Sequence, residues 1–426
     1  MSRVRRSGIS RRSAIGQMAA AFAVPLLIPR SLLGGDGRGG ANDRIGVGAI
    51  GVGHRATLLL DQLPEDARIV ALCDCNLPRA EDFRKRKGAS WPLLQNYHQL
   101  LERKDIDAVI VATREHQRVL PCIHACQAGK DIYAEKPLCL YIHEGRVLVQ
   151  TVRKCGRILQ VGSQQRSMAM NRIACEFIRS GGLGKLAEVR AVNYTGPGPL
   201  PKTALPAQPV PRGLDWDMWL NQAAWRPYNS GAMGGSLDLA GGEMTNWGAH
   251  GIDEVQWALG MDATGPVEMW PISAGLNGQV GMRYANGLEL KFILDKGPSG
   301  GAIFVGEKGK LEVNRNKFTS NPKEIAAELL KKVNVAEEEH KWSDQLALWQ
   351  ARWHMQNWLD CMRTRQLPAA DVEIGHRSIS VCLLANITRY VGRKLQWDPV
   401  KERFVQDDEA NRWVVRERRK GYELPS

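Results

Sequence analysis

The segment that most constrains the fold of this chain lies between residues 44 and 63. Residues 44–50 (RIGVGAI) form a short apolar strand, which runs into a glycine-rich turn, GVGHRA at residues 51–56, and then into a helical stretch. The turn matches the pattern GxGxx[GA]: Gly51 makes a tight turn, Gly53 lets a pyrophosphate approach the backbone, and small Ala56 allows helix and strand to pack closely. Free N–H groups at the start of the helix favour an anion. The segment therefore predicts a dinucleotide-binding unit.

A carboxylate at the end of the next predicted strand supports this interpretation. Residues 69–73 (IVALC) are followed by Asp74, 21 residues after Gly53. A carboxylate there accepts hydrogen bonds from the ribose hydroxyls, and its charge repels a 2′-phosphate. Asp74 thus favours NAD as the cofactor, while nearby Arg79 keeps NADP as the alternative. A helix N-cap role for Asp74 is compatible with ribose binding.

Strand and helix continue to alternate as far as residue 163. Apolar strands are predicted over residues 107–112, 131–134 and 158–161, and helices over residues 119–128 and 145–154. This alternation predicts an α/β Rossmann domain with a doubly wound parallel sheet over residues 44–163. Ligands of such sheets bind beyond the carboxyl ends of the strands.

Chemically capable side chains follow two of these strands. Thr113 and His116 come after the third strand, and Glu135-Lys136-Pro137 after the fourth. An ammonium group in the crevice would hydrogen-bond a substrate hydroxyl and stabilise the developing alkoxide. A solvated surface lysine is the alternative for Lys136, since lysine is usually exposed.

Length and charge limit the other classes of function. A chain of 426 residues is long enough for two domains. The net charge of +13 is inflated by six arginines and no acids in residues 1–34, and no basic-aromatic platform appears, so nucleic acid is not an expected partner. The nine cysteines are scattered without zinc spacing, so no metal site is predicted.

The amino terminus has the plan of an export signal. Arg11 and Arg12 precede a short apolar run, residues 16–28, and a glycine-rich stretch, residues 34–40. We expect a twin-arginine (Tat) signal peptide and linker over residues 1–41, the Tat export machinery as a partner, and a periplasmic location. No run reaches the roughly 18–20 apolar residues of a membrane span. A basic tail is the alternative, and the cleavage site is open, with Ala41 a candidate.

The second half of the chain has a different pattern. After Gln164, β-rich segments appear at residues 186–194, 267–276, 280–284, 288–294, 302–305 and 310–313. They predict an α+β domain with an open, mostly antiparallel sheet over residues 164–392, followed by a tail at residues 393–426 that packs on the fold. The proline-rich residues 197–213 are expected to form a loop that crosses the crevice. Helices are predicted over residues 321–341, 349–361 and 377–391.

Several motifs together resemble the Gfo/Idh/MocA oxidoreductase family, in its exported bacterial branch. They are AIGVG (49–53), AT with His116 (112–116), AEKP (134–137), GSQQR (162–166), GLDW (213–216), WRP (225–227), WGAH with Asp253 (247–253) and GHRS (375–378). The resemblance covers the chain from about Arg44 onward. It implies a nucleotide-binding domain followed by a domain whose sheet covers substrate and forms oligomers, hence a homodimer or homotetramer.

The resemblance also implies catalytic residues. Family enzymes of the inositol dehydrogenase type use the EKP lysine with an aspartate and a histidine spaced D-x-x-x-H. The counterparts here are Lys136, Asn246 and His250, so an amide replaces the carboxylate. Asn246 cannot hold a negative charge, and the proton relay would then use Lys136, Asp253 or another carboxylate. A structural hydrogen-bonding role is the alternative for His250.

The predicted binding residues fall into two groups. Those expected at the cofactor are Gly51, Gly53, His54, Arg55, Asp74, Thr113, His116, Glu135, Lys136, Gln164, Trp225 and Arg226. Those expected at the substrate are Arg166, Asp215, Trp216, Tyr228 and Asp253. A packing role is the alternative for six of these residues, namely Arg166, Asp215, Trp216, Trp225, Arg226 and Tyr228.

Three functions are compatible with this sequence. The first is NAD-dependent oxidation of a secondary CH–OH group in a sugar, cyclitol or glycoside, with His250 taking the proton and Lys136 holding the oxygen. The second is hydrolysis or lysis of a glycoside by transient oxidation and elimination with retained NAD, which export favours because free NAD is scarce outside the cytoplasm. The third is a non-catalytic sugar-binding protein that contains NAD.

Overall fold

Short buried runs of valine, isoleucine and alanine form the first sheet. In the computed structural model, which describes residues 44–200, 205–342 and 351–425, six parallel strands have the order β3-β2-β1-β4-β5-β6. They are β1 (Ile45–Ile50), β2 (Ala67–Cys73), β3 (Leu93–Leu94), β4 (Ala108–Val111), β5 (Asp131–Ala134) and β6 (Leu159–Val161). The doubly wound parallel sheet is confirmed. Its order reverses between β1 and β4, the place where such sheets bind ligands.

Five helices accompany these strands: α1 (His54–Asp61), α2 (Leu77–Arg86), α3 (Tyr97–Leu101), α4 (Val119–Gln127) and α5 (Ile142–Cys155). Helix α5 begins three residues before the predicted start because Glu144 reaches back to accept hydrogen bonds from the N–H groups of Leu140 and Tyr141. It ends at Gly156, which has a φ of 60°. Strand β3 and helices α2 and α3 were not predicted.

The second sheet is mixed. Within the described residues it has nine strands in the order β13-β12-β11-β7-β10-β9-β8-β14-β15. Neighbours are antiparallel except β7 and β10, which run parallel. The strands are β7 (Leu186–Val192), β8 (Glu268–Pro271), β9 (Val280–Arg283), β10 (Glu289–Leu294), β11 (Ala302–Gly306), β12 (Gly309–Asn314), β13 (Lys317–Asn321), β14 (Leu395–Asp398) and β15 (Arg403–Phe404). The mostly antiparallel second sheet is confirmed, although its last three strands were not predicted.

The described residues contain nine further α-helices. They are α6 (Ala169–Arg179), α7 (Trp216–Leu220), α8 (Glu243–Asn246), α9 (Gly248–Leu259), α10 (Lys323–Leu330), α11 (Val335–Trp342), α12 (Arg352–Thr364), α13 (Val372–Val391) and α14 (Asp408–Asn411). The single helix predicted over residues 321–341 is two helices. None of the helices in the described part is long and apolar enough to cross a membrane. The predicted signal and linker, residues 1–41, lie outside the described residues.

The hydrophobic core does not divide at residue 163. Met355, Trp358 and Leu359 of helix α12 pack in one buried cluster with Val47 and Tyr133 of the first sheet. Helix α13 packs against both α5 and α9. The predicted boundary therefore separates the two sheets but not their cores, because the chain returns to the first sheet near its carboxyl end.

A buried ion pair follows β6. The guanidinium of Arg166 donates to the carboxylate of Asp253 from Nε at 2.8 Å and to that of Asp262 from Nη2 at 2.7 Å. The Arg166 and Asp253 side chains are 3% and 2% exposed, and Ser378 Oγ donates to the second Asp253 oxygen at 2.7 Å. The charges of Arg166 and Asp253 are thus buried and satisfy each other, while the substrate contacts expected of both residues stay a prediction.

We expect Arg166→Met to lower the free energy of unfolding by about 3 kcal/mol or more, because the Asp253 carboxylate would remain buried without its cation. Denaturant unfolding measures this. The matched control is Arg172→Met, which removes an exposed pair with Glu176 on helix α6 and should cost less than about 1 kcal/mol. Equal losses in the two variants would contradict the structural role.

Candidate active site

A single crevice runs along the carboxyl ends of β1, β4 and β5. It consists of two cavities that share the side chains of His54, Arg55, Ala112, Thr113 and Arg114. We name them the glycine-side cavity, which is also lined by Gly51, Asp74, Tyr97 and Trp219, and the lysine-side cavity, which is also lined by Glu115, Glu135, Lys136 and Asn246. The lysine-side cavity has a volume of about 660 Å³.

The glycine turn has the geometry that a diphosphate needs. Gly51 has a φ of +83°, and a Cβ there would lie 2.9 Å from the Ala112 carbonyl oxygen, so only glycine fits. A Cβ on Gly53 would meet no atom within 4 Å. Gly53 is also the N-cap of helix α1, and no side chain caps that helix end. The open space at Gly53 therefore faces uncapped N–H donors, which fits an anionic group.

Asp74 is held rigidly at the end of β2. One carboxylate oxygen accepts from the Val52 N–H at 2.7 Å, and the other accepts from the Asn76 N–H at 2.8 Å. Burial raises the pKa of Asp74, although these two hydrogen bonds and Arg79 oppose the shift. Each oxygen still has a lone pair for a further donor, and Asp74 lines the glycine-side cavity. The arrangement fits the ribose of NAD.

A segment from the second half of the chain lies across the glycine-side cavity. We name residues 213–222 the cover segment. The Gly213 carbonyl accepts from the Leu77 N–H at 2.9 Å, and the Asp215 N–H donates to the Cys75 carbonyl at 2.8 Å. Trp219 of helix α7 then lines the cavity opposite the glycine turn. The predicted crossing of the crevice thus occurs immediately after the proline-rich loop.

His116 positions the cover segment and does not reach the crevice. Its ring is fully buried, with Nε2 2.9 Å from the Trp219 carbonyl oxygen and Nδ1 3.3 Å from the Leu239 carbonyl oxygen. Burial lowers the pKa of His116 to about 3, so the ring is neutral at physiological pH. Both ring nitrogens face backbone carbonyls, and the contact of His116 with the cofactor stays a prediction.

Three predicted substrate residues shape the cover segment. Asp215 accepts from the Met218 N–H at 2.9 Å and so caps helix α7. Trp216 stacks on Trp219 with ring centroids 4.7 Å apart, and Tyr228 meets Trp216 edge-on at 5.1 Å. None of the three lines either cavity of the crevice. A helix cap and an aromatic cluster thus involve these side chains, and their substrate contacts stay a prediction.

Three predicted cofactor residues also lie off the crevice. Trp225 is 63% exposed, and Gln164 is buried away from the cavity linings. Arg226 pairs with Asp238 and lines a separate cavity. The predicted cofactor contacts of these three residues are not present in this crevice.

Lys136 is the cation of the lysine-side cavity. Its ammonium donates to Asn246 at the side-chain Oδ1 (2.7 Å) and at the backbone carbonyl (3.2 Å). Burial lowers the pKa of Lys136 to about 8. Arg55 and Arg315 reinforce this shift, while Glu135 and Glu115 oppose it. The ammonium and the neutral amine of Lys136 are therefore both populated near physiological pH.

Two carboxylates fix the walls around Lys136. Glu135 accepts from Arg55 Nε at 2.7 Å and from the Lys136 N–H at 3.0 Å. Glu115 accepts from the Gly241 N–H at 2.8 Å and from Thr245 Oγ1 at 3.1 Å, which ties the loop after β4 to helix α8. Burial raises the pKa of Glu115.

His250 is not among the residues that line the two cavities of the crevice. Its Nε2 lies 3.0 Å from Nη2 of Arg315, a group that only donates, so Nε2 accepts. Burial lowers the pKa of His250 well below its usual value, and the charges of Arg315 and Lys136 add to this. The lone pair of Nε2 is thus directed at Arg315, and transfer of the substrate proton to His250 stays a prediction.

Arg315 was not predicted as a site residue. It lies in the turn between β12 and β13, with its guanidinium 5.5 Å from the Trp247 ring centroid. Burial lowers the pKa of Arg315 to about 10, with the charge of Arg55 adding to the shift. The sequence of a hairpin turn does not indicate such a placement. The pairing of β12 with β13 in the second sheet brings this turn to His250.

We expect Gly53→Ala to reduce the affinity for NAD at least tenfold while the free energy of unfolding changes by less than about 1 kcal/mol. The added methyl group meets no protein atom but occupies the open space at the turn. Calorimetry on nucleotide-free protein measures the affinity, and denaturant unfolding measures the stability. As a control, Gly51→Ala should destabilise the fold itself, because that position has a positive φ. Unchanged NAD affinity in Gly53→Ala would contradict the assignment of the turn.

Comparison with known proteins identifies the same two parts of the chain. Residues 45–163 match the oxidoreductase-family NAD-binding Rossmann fold of the Gfo/Idh/MocA group, and residues 193–424 match the family's C-terminal alpha/beta domain. Among solved structures, the WlbA dehydrogenase from Bordetella pertussis, in complex with NADH and UDP-GlcNAcA, has a TM-score of 0.60 at 18% identity over 83% of this chain and 98% of that chain. Aldose-aldose oxidoreductase from Caulobacter crescentus has a TM-score of 0.56 at 16% identity over 83% of this chain and 99% of its own. These structures share the fold.

Two curated relatives each match about a third of this chain. The scyllo-inositol 2-dehydrogenase (NAD(+)) of Bacillus subtilis is 32% identical over 33% of this chain and 40% of its own length. The myo-inositol 2-dehydrogenase of Thermotoga maritima is 26% identical over 36% of this chain and 46% of its own length. The chain thus spans less than half the length of these two relatives. Because the two family domains together cover most of the described residues, this protein belongs to the Gfo/Idh/MocA oxidoreductase family.

Proposed function

We propose that this protein oxidises a secondary CH–OH group of a sugar, cyclitol or glycoside with NAD. The observation that carries the proposal is the half-buried Lys136 ammonium, which lines the same crevice as the glycine turn and whose pKa is lowered to about 8. The names of the inositol 2-dehydrogenase relatives support a polyhydroxylated substrate. When bound, NAD supplies the hydride acceptor.

The residues of the chain provide binding and orientation. The turn at Gly51 and Gly53, with the start of helix α1, would hold the diphosphate, and Asp74 would hold the adenosine ribose. Thr113 and Glu135 line the path from there to Lys136. The glycine-side cavity would thus hold the diphosphate and ribose end of NAD, and the lysine-side cavity would hold the substrate hydroxyl.

Lys136 takes the role of proton acceptor in this proposal. With a pKa of about 8, roughly one tenth of the molecules carry a neutral amine at pH 7. The neutral amine accepts the proton of the substrate hydroxyl, and the resulting ammonium hydrogen-bonds the same oxygen and Asn246. His250 is then a neutral structural partner of Arg315 and lies outside the proton path.

The rate of oxidation should rise with pH through an apparent pKa of about 8, because only the neutral amine accepts a proton. Lys136→Arg keeps a cation but cannot release its proton, so we expect a loss of at least 100-fold in kcat with NAD binding retained. The measurements are the pH profile of kcat and calorimetric titration with NAD. The proposal fails if Lys136→Arg keeps the wild-type rate. A wild type that binds NAD and sugars without turning them over would favour the non-catalytic alternative.

A second candidate is glycoside hydrolysis or lysis through transient oxidation, with NAD retained throughout. The cover segment favours it, because backbone hydrogen bonds anchor this segment to the loop after β2 while Trp219 lies over the glycine-side cavity. The carboxyl-terminal tail adds a second attachment, since Arg419 Nε donates to the Asn221 carbonyl at 2.8 Å. A cofactor under such a cover would leave slowly.

The two candidates differ in cofactor stoichiometry. If NAD is retained, protein purified without added nucleotide should contain about one NAD per chain and should turn over glycosides many times without accumulating NADH. One equivalent of NADH per protein would instead support simple dehydrogenation. Trp219→Ala should release the bound NAD during gel filtration, whereas Trp270→Ala, on the second sheet away from the crevice, should keep it. Retention by both variants would contradict the role of the cover segment.

The proposal includes export through the Tat pathway, on the basis of the Arg11-Arg12 pair and the apolar run that follows it. Export of an already folded protein would let it acquire NAD in the cytoplasm and use it in the periplasm. We also propose a homodimer or homotetramer formed through the open sheet.

A further inference from the structure

Asn246 lies between a group that only donates and a group that only accepts. On one side, Lys136 Nζ donates to Asn246 Oδ1 at 2.7 Å. On the other side, Asn246 Nδ2 donates to the carboxylate of Glu243, at 3.3 Å to Oε1 and 3.2 Å to Oε2. The three side chains form a polarised row from the lysine-side cavity to its rim, where Glu243 is exposed.

The chemistry of the two neighbours defines the orientation of the amide. An ammonium has no acceptor and a carboxylate has no donor. If the amide of Asn246 turned over, its NH₂ group would face the Lys136 ammonium and its oxygen would face the Glu243 carboxylate. Both hydrogen bonds would then be replaced by repulsive contacts, so Glu243 and Lys136 favour the same orientation.

The backbone holds this row in place. Gly242 has a φ of +74°, and a Cβ there would lie 2.3 Å from the carbonyl carbon of Gly196. The Met244 N–H donates to the Thr195 carbonyl at 2.9 Å, and Glu115 accepts from Thr245 on the same helix. Helix α8 is therefore packed closely against residues 195–196, and its single turn places Glu243 and Asn246 three residues apart on one side.

We propose that Glu243 is a positioning residue that orients Asn246 so that the amide oxygen faces Lys136. The inference rests on the proposed function of Lys136 and extends it to a residue outside the D-x-x-x-H spacing. In this chain Asn246 connects Lys136 to a carboxylate that lies three residues earlier on the same helix. The lysine thus keeps a neutral acceptor instead of a charged one.

The charged groups around Lys136 influence its pKa, so this pKa can be measured to test the arrangement. The groups that face its ammonium are Glu135 beside it, Arg55 from helix α1, Glu115 from the loop after β4 and Arg315 from the turn after β12. An aspartate in place of Asn246 would add a negative charge in direct contact with the ammonium. Such a contact raises a lysine pKa by about one unit or more, whereas the exposed Glu243 acts through the amide.

The experiment combines Glu243→Ala, Glu243→Gln and Asn246→Asp. In nucleotide-free protein, competitive labelling with acetic anhydride and mass spectrometry gives the pKa of Lys136 without any turnover. We expect Glu243→Ala to lower this pKa, because the amide loses its fixed orientation. We also expect kcat to fall about tenfold at pH 9 and above, where the amine is mostly neutral in both proteins, because the ammonium formed in the reaction loses a well-placed acceptor. Glu243→Gln still offers an acceptor oxygen to Asn246, so its kcat should stay within about twofold of wild type.

The Asn246→Asp variant shows whether the effect of Glu243→Ala depends on the Asn246 amide. We expect the pKa of Lys136 to rise in this variant, which shifts the pH profile of kcat toward higher pH. An aspartate has no N–H for Glu243 to accept, so Glu243→Ala in this background should change kcat by less than about twofold. A smaller loss from Glu243→Ala in the Asn246→Asp background than in the wild-type background supports the inference.

Two results would overturn it. One is an equal loss from Glu243→Ala in both backgrounds, which would indicate a general effect on folding or on the cavity. The other is an unchanged labelling pKa of Lys136 in Glu243→Ala. Because labelling requires no substrate, a wild-type protein without dehydrogenase activity would overturn the proposed function while the labelling still tested the positioning of Asn246.

Discussion

The burial of one ammonium group organises the crevice. Lys136 follows the end of β5, and its half-buried ammonium lines the lysine-side cavity and donates to Asn246. Placing a cation in such a site is costly unless its donors are satisfied. The loop after β4 meets this need indirectly, since Glu115 fixes helix α8 and therefore the position of Asn246. The active-site geometry thus depends on contacts between the first sheet and the helices of the second half.

The same dependence explains why the chain does not separate into independent halves. Helix α12 completes the core of the first sheet, the Arg166 ion pair joins the end of that sheet to helix α9, and the cover segment is hydrogen-bonded to the loop after β2. Each of these contacts is buried or involves the backbone. A crevice that is built from both halves can hold its polar groups in fixed orientations, which is what charge stabilisation in an active site requires.

Local sequence predicted the residues that belong to one strand and its turn. Gly51, Gly53, Asp74 and Lys136 line the crevice because a parallel sheet brings the carboxyl ends of its strands to one edge. The roles of residues after Gln164 were predicted less well, because the direction of their side chains depends on tertiary packing. His116 has no local feature that distinguishes a cofactor ligand from a buried partner of backbone carbonyls. Arg315 is brought to the site only by the pairing of β12 with β13.

The charges of the crevice explain why an amide suits residue 246. Arg55, Arg114 and Arg118 line the lysine-side cavity and Arg315 lies near it, so cations outnumber Glu115 and Glu135 even when the Lys136 amine is neutral. Burial lowers the lysine pKa, and the charges of Arg55 and Arg315 add to this. A carboxylate in contact with Lys136 would restore the balance in favour of the ammonium and weaken the lysine as a base. With Glu243 at the solvent-exposed rim, water and salt screen its charge. The amide can then be oriented while the lysine remains able to accept a proton.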